Sequence, residues 1–357
     1  MYFKTYEGFK NFVECNTFYD EELIIFVADK SSSYVDGLIG YLNSKSIRFM
    51  GGIFPSLLVG AQNKAEGIVV QRAKPVLTTM VLPFMMRCNL DVSMLENATA
   101  VVIADGLSSK IRELTDTLYG KLGSGVKYIG GGAGFANMDH KPCVFDSKGL
   151  YKDVLMVSII EAETILGVKH GWKRLSGPFY VTESNENILS EIDSENAFEV
   201  YRHVIEENED IVLCKEDFFT YAKDHPFGIS QEGDSDIVRD PIKLSDMKEI
   251  VCVADIPKES DIYILKGDAD TLLESSIEVS QECAYNNPHE KYRVLLFNCI
   301  SRSMFLEERF EEELYNIQKR MEPIVFGALS IGEIASTNSG NLVIHNKSIV
   351  LGLMAEI

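Results

Sequence analysis

The sequence predicts a mixed α/β fold built from repeated strand–helix–strand–hairpin units, with mixed sheets and substantial antiparallel pairing. One order of elements recurs three times along the chain: an apolar strand, a helix, a strand that runs into glycines, and a closing pair of strands. The distance from the glycines to the end of the last strand is nearly the same in all three copies. Each copy joins strands both through a helix and through a tight turn, so parallel and antiparallel pairing are both expected.

The elements of the three copies are visible as residue patterns. Continuous apolar runs, which are typical of buried strands, lie at 23–29, 101–105 and 294–299. Helices are expected at about 33–43, 109–122 and 308–321. Glycines follow the second strand of each copy at 51–52, 130–132 and 327, and the copies end at Leu82, Ile160 and Met354.

The length of the chain, 357 residues, is typical of two domains. A further segment, 165–287, separates the second copy from the third and has strand and helix patterns of its own. A polar stretch at 182–187 indicates a boundary nearby. We therefore expect an N-terminal domain at 1–195 and a C-terminal domain at 196–357.

Composition argues against several classes of function. The 54 acidic and 34 basic residues give a net charge of -20, which repels nucleic-acid phosphates and anionic membrane surfaces. No apolar run approaches the ~20 residues of a membrane span, and the N-terminus has no signal-peptide pattern. The seven cysteines are scattered and form no C-x-x-C pair, which is typical of reduced thiols. We expect a cytoplasmic protein that binds neither nucleic acid nor membranes.

The third copy carries polar residues where the first two do not. Cys299 falls where they have Asp29 and Asp105, and Arg302 and Glu333 follow the ends of two neighbouring strands. An Arg fork binds a carboxylate through two hydrogen bonds, and a Glu accepts hydrogen bonds from an ammonium group. Together these side chains could bind both ends of an amino acid. An internal salt bridge between Arg302 and Glu333 is the alternative.

His345 and Asn346 lie on the hairpin of the third copy. His345 is expected to face inward, where it is either part of the site or a hydrogen-bonded core residue. Cys299 with His345 would allow thiolate catalysis, but no residue pattern supplies an orienting group or an oxyanion hole. The acidic stretch at 307–313 is interpreted as the solvated start of a helix.

Glycines and aromatic residues of the second copy offer another candidate site. Gly130, Gly131 and Gly132 follow a strand, where glycines allow a ligand to approach the backbone or merely form a tight turn. His170 and Trp172 flank a glycine between two strands. Trp172 could line a site or pack in the core, and His170 and His140 are candidate haem ligands.

Two groups of motifs resemble a known family. The segment 128–134 and the residues around 170–172 resemble the N-terminal FIST domain. Later in the chain, 297–302, Gly327, Gly332 with Glu333, and His345 with Asn346 resemble the C-terminal FIST domain. The resemblance spans nearly the whole chain, and its motifs come in the expected order. One departure is the first glycine loop, 51–56, where the family usually has a Thr-x-Gly-Glu-like turn.

The resemblance implies a sensory module of bacterial and archaeal signalling that binds small ligands such as amino acids. Some members are haem proteins that sense nitric oxide, so a haem-based sensor is the first alternative and an enzyme that uses Cys299 the second. No kinase, cyclase or chemotaxis pattern is recognised in the chain, so output is expected through a separate partner such as a histidine kinase or a cyclase. Neither a cofactor nor a tight metal site is expected.

Overall fold

The computed structural model of the chain describes residues 1–87, 95, 97–231 and 235–356. These residues divide into two units. Unit 1 contains Met1–Lys169, Ser276–Val343 and Ile349–Ile357, and unit 2 contains His170–Ser275 and Ile344–Ser348. None of the described helices has the length and apolar character that crossing a lipid bilayer demands.

The first repeat of unit 1 begins after a short N-terminal strand and helix. The short elements are β1 (Tyr2–Phe3) and α1 (Tyr6–Cys15). The elements that follow are β2 (Glu22–Ala28), α2 (Val35–Ser44), β3 (Arg48–Phe54), β4 (Leu57–Val59), β5 (Gln62–Lys64), β6 (Ile68–Ala73), β7 (Pro75–Leu82) and β8 (Met85–Met86). All seven residues of β2 are buried, and the six after Glu22 are apolar, as expected for a strand covered on both faces. Thr5 caps the N-terminus of α1, and its hydroxyl oxygen accepts a hydrogen bond from the Gly8 amide.

The second repeat has the same order of elements. They are β9 (Thr99–Asp105), α3 (Ile111–Leu122), β10 (Lys127–Ala133), β11 (Val144–Asp146), β12 (Gly149–Tyr151), β13 (Leu155–Ile160) and β14 (Thr164–Lys169). β9 is again buried at every residue, and the inner face of α3 is formed by Leu114, Leu118 and Leu122. The apolar spacing in α3 is that of a helix with one face on a core.

The described residues of unit 2 form one antiparallel sheet, two helices and the start of a longer helix that continues into unit 1. The strands and the two helices are β15 (Lys173–Asn185), β16 (Ile188–Ile192), β17 (Glu195–Asn196), α4 (Ala197–Glu209), α5 (Phe218–Ala222), β18 (Phe227–Ile229), β19 (Ile237–Arg239), β20 (Pro241–Leu244), β21 (Ile250–Cys252) and β22 (Asp261–Lys266). The strand order is β19-β18-β22-β15-β16-β21-β20, with β17 paired to β16. Tyr201 of α4 packs its ring against Phe218 and Phe227 in the core of this unit.

The third repeat follows the long helix α6 (Ala269–Asn286). Its elements are β23 (Tyr292–Cys299), α7 (Ile300–Leu306), α8 (Phe310–Gln318), β24 (Val325–Ser330), β25 (Glu333–Ser336), β26 (Leu342–His345) and β27 (Ile349–Ala355). The chain passes into unit 2 at Ile344, within β26, and returns to unit 1 at Ile349. The third repeat thus supplies a short segment, Ile344–Ser348, to the other unit.

The three repeats share one pairing pattern, which confirms the predicted mixed α/β fold of repeated units. The first strand of each repeat pairs in parallel with the second: β2 with β3, β9 with β10, and β23 with β24. It pairs antiparallel with the last: β2 with β6, β9 with β13, and β23 with β27. The sheets are therefore mixed, with a parallel pair at the centre of each.

Each repeat donates its hairpin to a different repeat. β4 of the first repeat pairs with β24 of the third, β11 of the second pairs with β3 of the first, and β25 of the third pairs with β10 of the second. The exchange is cyclic, so each of the three sheets of unit 1 is completed by strands from elsewhere in the sequence. At the core, the ring of Phe297 lies 5.5 Å from that of Phe26 and 6.3 Å from that of Phe54.

The end of the first repeat differs from the sequence prediction. The strand equivalent to β13 and β27 is β6, which ends at Ala73, and not the strand that ends at Leu82. The strand at Leu82, β7, instead pairs with β13 of the second repeat. The equal spacing was misleading because the first repeat enters its hairpin directly after β3, whereas a long connection precedes β11.

Candidate functional site

The residues predicted from the third repeat fall into two groups. Cys299, Arg302, Gly327, Gly332 and Glu333 belong to unit 1, whereas His345 and Asn346 belong to unit 2. The first group lies on β23, α7 and β24 and in the turn that opens β25, as expected from the strand ends. Its role in ligand binding stays a prediction.

Arg302 is fully buried and forms an ion pair that the sequence did not predict. Its Nη2 lies 2.5 Å from Oε2 of Glu313, and its Nε lies 3.3 Å from Oε1 of the same carboxylate. Asn298 donates a further hydrogen bond of 2.7 Å to that Oε1. Glu313 is also fully buried, although it belongs to the acidic stretch that was interpreted as solvated. Arg302 therefore binds an internal carboxylate, that of Glu313.

Glu333 and Cys299 are buried, and each has a serine hydroxyl close by. Glu333 accepts a hydrogen bond of 2.8 Å from the Ser330 hydroxyl, and the Cys299 sulfur lies 3.1 Å from the Ser301 hydroxyl. Gly332 has a φ of 82°, a left-handed conformation that favours glycine in the turn between β24 and β25. Gly327 lies in the middle of β24.

The glycines of the second repeat lie within a strand and not in a turn. Gly130, Gly131 and Gly132 are residues of β10. A Cβ at Gly132 would lie 2.0 Å from the carbonyl oxygen of Ile331, and one at Gly131 would lie 2.8 Å from the ring of Phe297. The space beside these two glycines is therefore filled by the third repeat, and their predicted role in ligand binding remains untested.

A buried polar cluster lies in unit 2. It consists of Arg239, Asp240, His345, Asn346 and Lys347, all of which are less than one-tenth exposed. Two contacts tie Arg239, the last residue of β19, and the following Asp240 to the segment Ile344–Ser348. Nη1 of Arg239 donates to the Ile344 carbonyl at 3.1 Å, and Nζ of Lys347 lies 3.2 Å from Oδ2 of Asp240. Lys347 has a φ of 54°, an uncommon conformation for a residue other than glycine.

Three atoms of the buried polar cluster have no hydrogen-bond partner among the described residues. They are Oδ1 of Asp240, Oδ1 of Asn346 and Nε2 of His345. A buried polar atom without a partner costs about 1–3 kcal/mol. Three such atoms on two segments that contact each other mark a place where a polar molecule would restore the missing hydrogen bonds.

Arg239 contributes a buried positive charge. Its Nε donates to the Asp255 carbonyl at 2.7 Å, and its Nη1 donates to the Val238 and Ile344 carbonyls. These hydrogen bonds use Nε and Nη1, and the charge of the Asp255 carboxylate acts on the guanidinium as well. Burial lowers the pKa of Arg239 to about 10, so the guanidinium stays charged at neutral pH.

The other titratable groups of the buried polar cluster respond to the same burial. Burial raises the pKa of Asp240, while the neighbouring Lys347 ammonium acts in the opposite direction. Burial, followed by the charges of Arg239 and His170, lowers the pKa of His345 to about 3. His345 is therefore a neutral imidazole, which both donates and accepts hydrogen bonds.

Trp172 and His170 belong to unit 2 as well. Trp172 is buried, and the Lys347 ammonium lies 5.2 Å from the centre of its ring. The Trp172 amide donates to Nδ1 of His170 at 3.0 Å across Gly171, whose φ is 88°. Trp172 thus borders the buried polar cluster, and one ring nitrogen of His170 is occupied by the turn. The other candidate haem ligand, His140, lies in unit 1, with Nε2 2.8 Å from Oδ2 of Asp105.

Sequence reasoning missed Arg239, Asp240 and Glu313. The signal at Arg239 and Asp240 is a pair of opposite charges inside the apolar run 237–242. Two surface clefts of unit 2 and unit 1, of about 380 and 330 Å³, are lined by none of the residues of the buried polar cluster. The candidate site therefore depends on buried unpartnered atoms and not on an open cleft.

Comparison with known families covers most of the chain. The model of the FIST N domain matches residues 7–195, and the model of the FIST C domain matches residues 197–336. A search of curated proteins finds no significant match to the chain.

Proposed function

Because the chain belongs to the FIST family, whose domains are signal-transduction sensory domains, we propose that it senses a small zwitterionic metabolite. The ligand class is an amino acid or a closely related compound. The proposed binding site is the buried polar cluster of unit 2. The observation that carries this proposal is the set of unpartnered atoms on Asp240, Asn346 and His345.

The chemistry of the cluster suits both ends of an amino acid. An ammonium group has three N–H donors, and Oδ1 of Asp240 and Oδ1 of Asn346 are two acceptors without partners among the described residues. A carboxylate would accept hydrogen bonds from Nη2 of Arg239, whose other nitrogens already donate to backbone carbonyls. Trp172 offers an apolar surface for a side chain beside them.

The signal is proposed to pass to a separate partner protein, such as a histidine kinase or a cyclase. A sensory domain acts by binding its ligand more tightly in one state than in another, and the free-energy difference biases the output. We likewise propose a cytoplasmic location. No disulfide joins the six cysteines of the described chain, which agrees with a reducing compartment.

A thermal-shift screen of the free amino acids and related metabolites tests the proposal first. A ligand at 100 times its Kd stabilises the native state by about 2.7 kcal/mol, which raises the melting temperature. Calorimetric titration of the best ligand with Asn346→Ala then tests the site. Loss of a hydrogen bond to a charged group costs about 1.5–3 kcal/mol, or roughly one to two decades of affinity.

Matched variants separate this site from the predicted one in unit 1. Asn208→Ala removes an exposed amide from α4 of the same unit and is expected to bind like the parent chain. Glu333→Gln changes the predicted unit 1 site and is expected to leave the Kd unchanged. Tight binding by Asn346→Ala together with weak binding by Glu333→Gln would move the ligand site to unit 1. A chain that no tested metabolite stabilises would contradict the proposed ligand class.

A further inference from the structure

Three potential metal ligands converge in unit 1, and none of them belongs to the buried polar cluster of unit 2. Asp105 is the last residue of β9. His140 lies in the connection between β10 and β11, and Asp153 lies in the connection between β12 and β13. The sequence indicates no such site because these residues are far apart in the chain, and only the second repeat as a whole brings them together.

The distances between their donor atoms fit one metal ion. Nε2 of His140 lies 2.8 Å from Oδ2 of Asp105 and 3.7 Å from Oδ1 of Asp153. One donor atom from each residue lies within 4.8 Å of the other two. Bonds of about 2.0–2.2 Å to a zinc ion place neighbouring ligand atoms about 3–3.6 Å apart, so only small movements are needed.

The charge balance of this group also favours a cation. Asp105 is 1% exposed, and a buried carboxylate needs a cationic partner or several hydrogen bonds. In the part of the chain that the structure describes, the only cationic side chain within ion-pair distance of Asp105 or Asp153 is His140. The carboxylates of Asp105 and Asp153 thus meet at a single imidazole, a set of donors that a divalent cation can bind.

Hydrogen bonds around the three residues hold the carboxylates in place. The Ser108 hydroxyl donates to Oδ1 of Asp153 at 2.7 Å, and the Leu107 amide donates to Oδ1 of Asp105 at 3.2 Å. The Asp153 amide donates to Oδ2 of Asp105 at 2.7 Å. Contacts of this kind orient metal-binding carboxylates in known metal sites. The His140 side chain is 35% exposed, which gives an ion a route from solvent.

We propose that Asp105, His140 and Asp153 bind a divalent first-row metal ion. One imidazole and two carboxylates suit Zn²⁺ or Mn²⁺ better than the softer Cu(I), which prefers sulfur ligands. Three protein ligands leave at least one coordination position for water or a small anion.

Titration of the metal-stripped chain with Zn²⁺ tests the proposal. Calorimetry is expected to give one ion per chain, and electron paramagnetic resonance is expected to detect bound Mn²⁺. His140→Ala and Asp153→Asn, which change partly exposed side chains, are expected to weaken binding at least about tenfold. His203→Ala is the matched control, because exposed His203 lies 3.2 Å from Glu207 and could bind zinc only adventitiously.

The outcomes are distinct. Loss of binding in His140→Ala and Asp153→Asn, with no change in His203→Ala, supports the site. No saturable binding to the parent chain, or equal affinities for parent and both site variants, overturns it. Circular dichroism of each variant shows whether it folds. If His140→Ala does not fold, Asp153→Asn still tests the site. None of these results depends on the metabolite site of unit 2.

Discussion

Lys347 and Asp240 form a buried ion pair, with Nζ 3.2 Å from Oδ2 and both residues less than one-tenth exposed. Nζ of Lys347 also donates to the Lys223 carbonyl at 2.9 Å. The ammonium is thus the cation that balances Asp240, a carboxyl whose pKa burial has already raised. Removing the ammonium leaves a buried charge that can be relieved only by protonation.

We predict that Lys347→Met lowers the free energy of unfolding by about 3–5 kcal/mol at neutral pH. Without Lys347 the folded pKa of Asp240 rises further above its unfolded value of 3.8. A raised folded pKa stabilises the native state below the unfolded pKa, and that stability is lost as the pH rises through the folded pKa. The deficit of the variant should therefore shrink towards pH 4 in urea titrations from pH 4 to 8.

Lys248→Met is the control for this variant. Lys248 pairs with Glu199 at 3.0 Å on the surface, where a pair contributes about 0–1 kcal/mol. A pH-independent loss in Lys347→Met would mean that packing and not charge accounts for its effect.

The pH dependence of the parent chain should contain the titration of His345. Its pKa is lowered from 6.5 to about 3, chiefly by burial. A depressed folded pKa means that the unfolded chain binds the proton first, so stability is present above the unfolded pKa and is lost as the pH falls towards the folded pKa. When the unfolded chain binds one proton more than the native chain, the free energy of unfolding changes by about 1.4 kcal/mol per pH unit. We predict that His345→Gln reduces this slope between pH 6 and 4.

Chemical denaturation at several pH values measures the slope. Exposed His203→Gln should leave it unchanged, which separates burial from the mere removal of a histidine. If His345→Gln and the parent chain lose stability in parallel on acidification, the imidazole is not held neutral in the native state.

Local patterns predicted the repeat but not the exchange of hairpins. The burial of β2, β9 and β23 follows from continuous apolar runs, and each run can be recognised within its own strand. The choice of partner for β4, β11 or β25 depends on which sheet edge is close after folding, and no local pattern records that. The glycines of β10 were assigned to a turn for a similar reason, because the backbone packed against them comes from another repeat.

The residues of the candidate sites likewise divide into those that a local pattern predicts and those that it does not. His345 was correctly expected to face inward, since alternation along a strand is a local property. Glu313 could have been found from periodicity, because Phe310, Glu313, Leu314 and Ile317 occupy one face of α8 and are all buried. Arg239 and Asp240 could not have been linked to His345, since the contact with the segment Ile344–Ser348 joins distant parts of the sequence.

The pair of Arg302 and Glu313 should behave as a buried ion pair in a double-mutant cycle. Removing one partner, as in Arg302→Met or Glu313→Leu, leaves an uncompensated charge and is expected to cost about 3–5 kcal/mol. The double variant removes both charges, so its loss should be smaller than the sum of the single losses. The exposed pair Arg309 and Glu312 is the control and should contribute about 0–1 kcal/mol. Additive losses for Arg302 and Glu313 in urea denaturation would contradict the coupling.

A substitution at Gly132 tests how closely the third repeat packs against β10, as the exchange of hairpins requires. In β10 its missing Cβ would lie 2.0 Å from the Ile331 carbonyl oxygen and 2.6 Å from the Cα of Gly106, both of which are backbone atoms. Its amide donates to the Gly332 carbonyl at 2.8 Å, so the turn of the third repeat cannot move away without losing this hydrogen bond. We predict that Gly132→Ala lowers the free energy of unfolding by about 1–3 kcal/mol or more through overpacking.

Gly120→Ala supplies the matched control for Gly132→Ala. Gly120 is an exposed residue of α3 with no atom within 4 Å of its added Cβ. Alanine there should stabilise the chain by about 0.5–1 kcal/mol, because glycine is unfavourable inside a helix. Both variants lower the conformational entropy of the unfolded chain in the same way, so an opposite sign of the two effects in urea denaturation isolates the steric contact. If Gly132→Ala is as stable as Gly120→Ala, close packing of the third repeat against β10 does not limit the size of the residue at position 132.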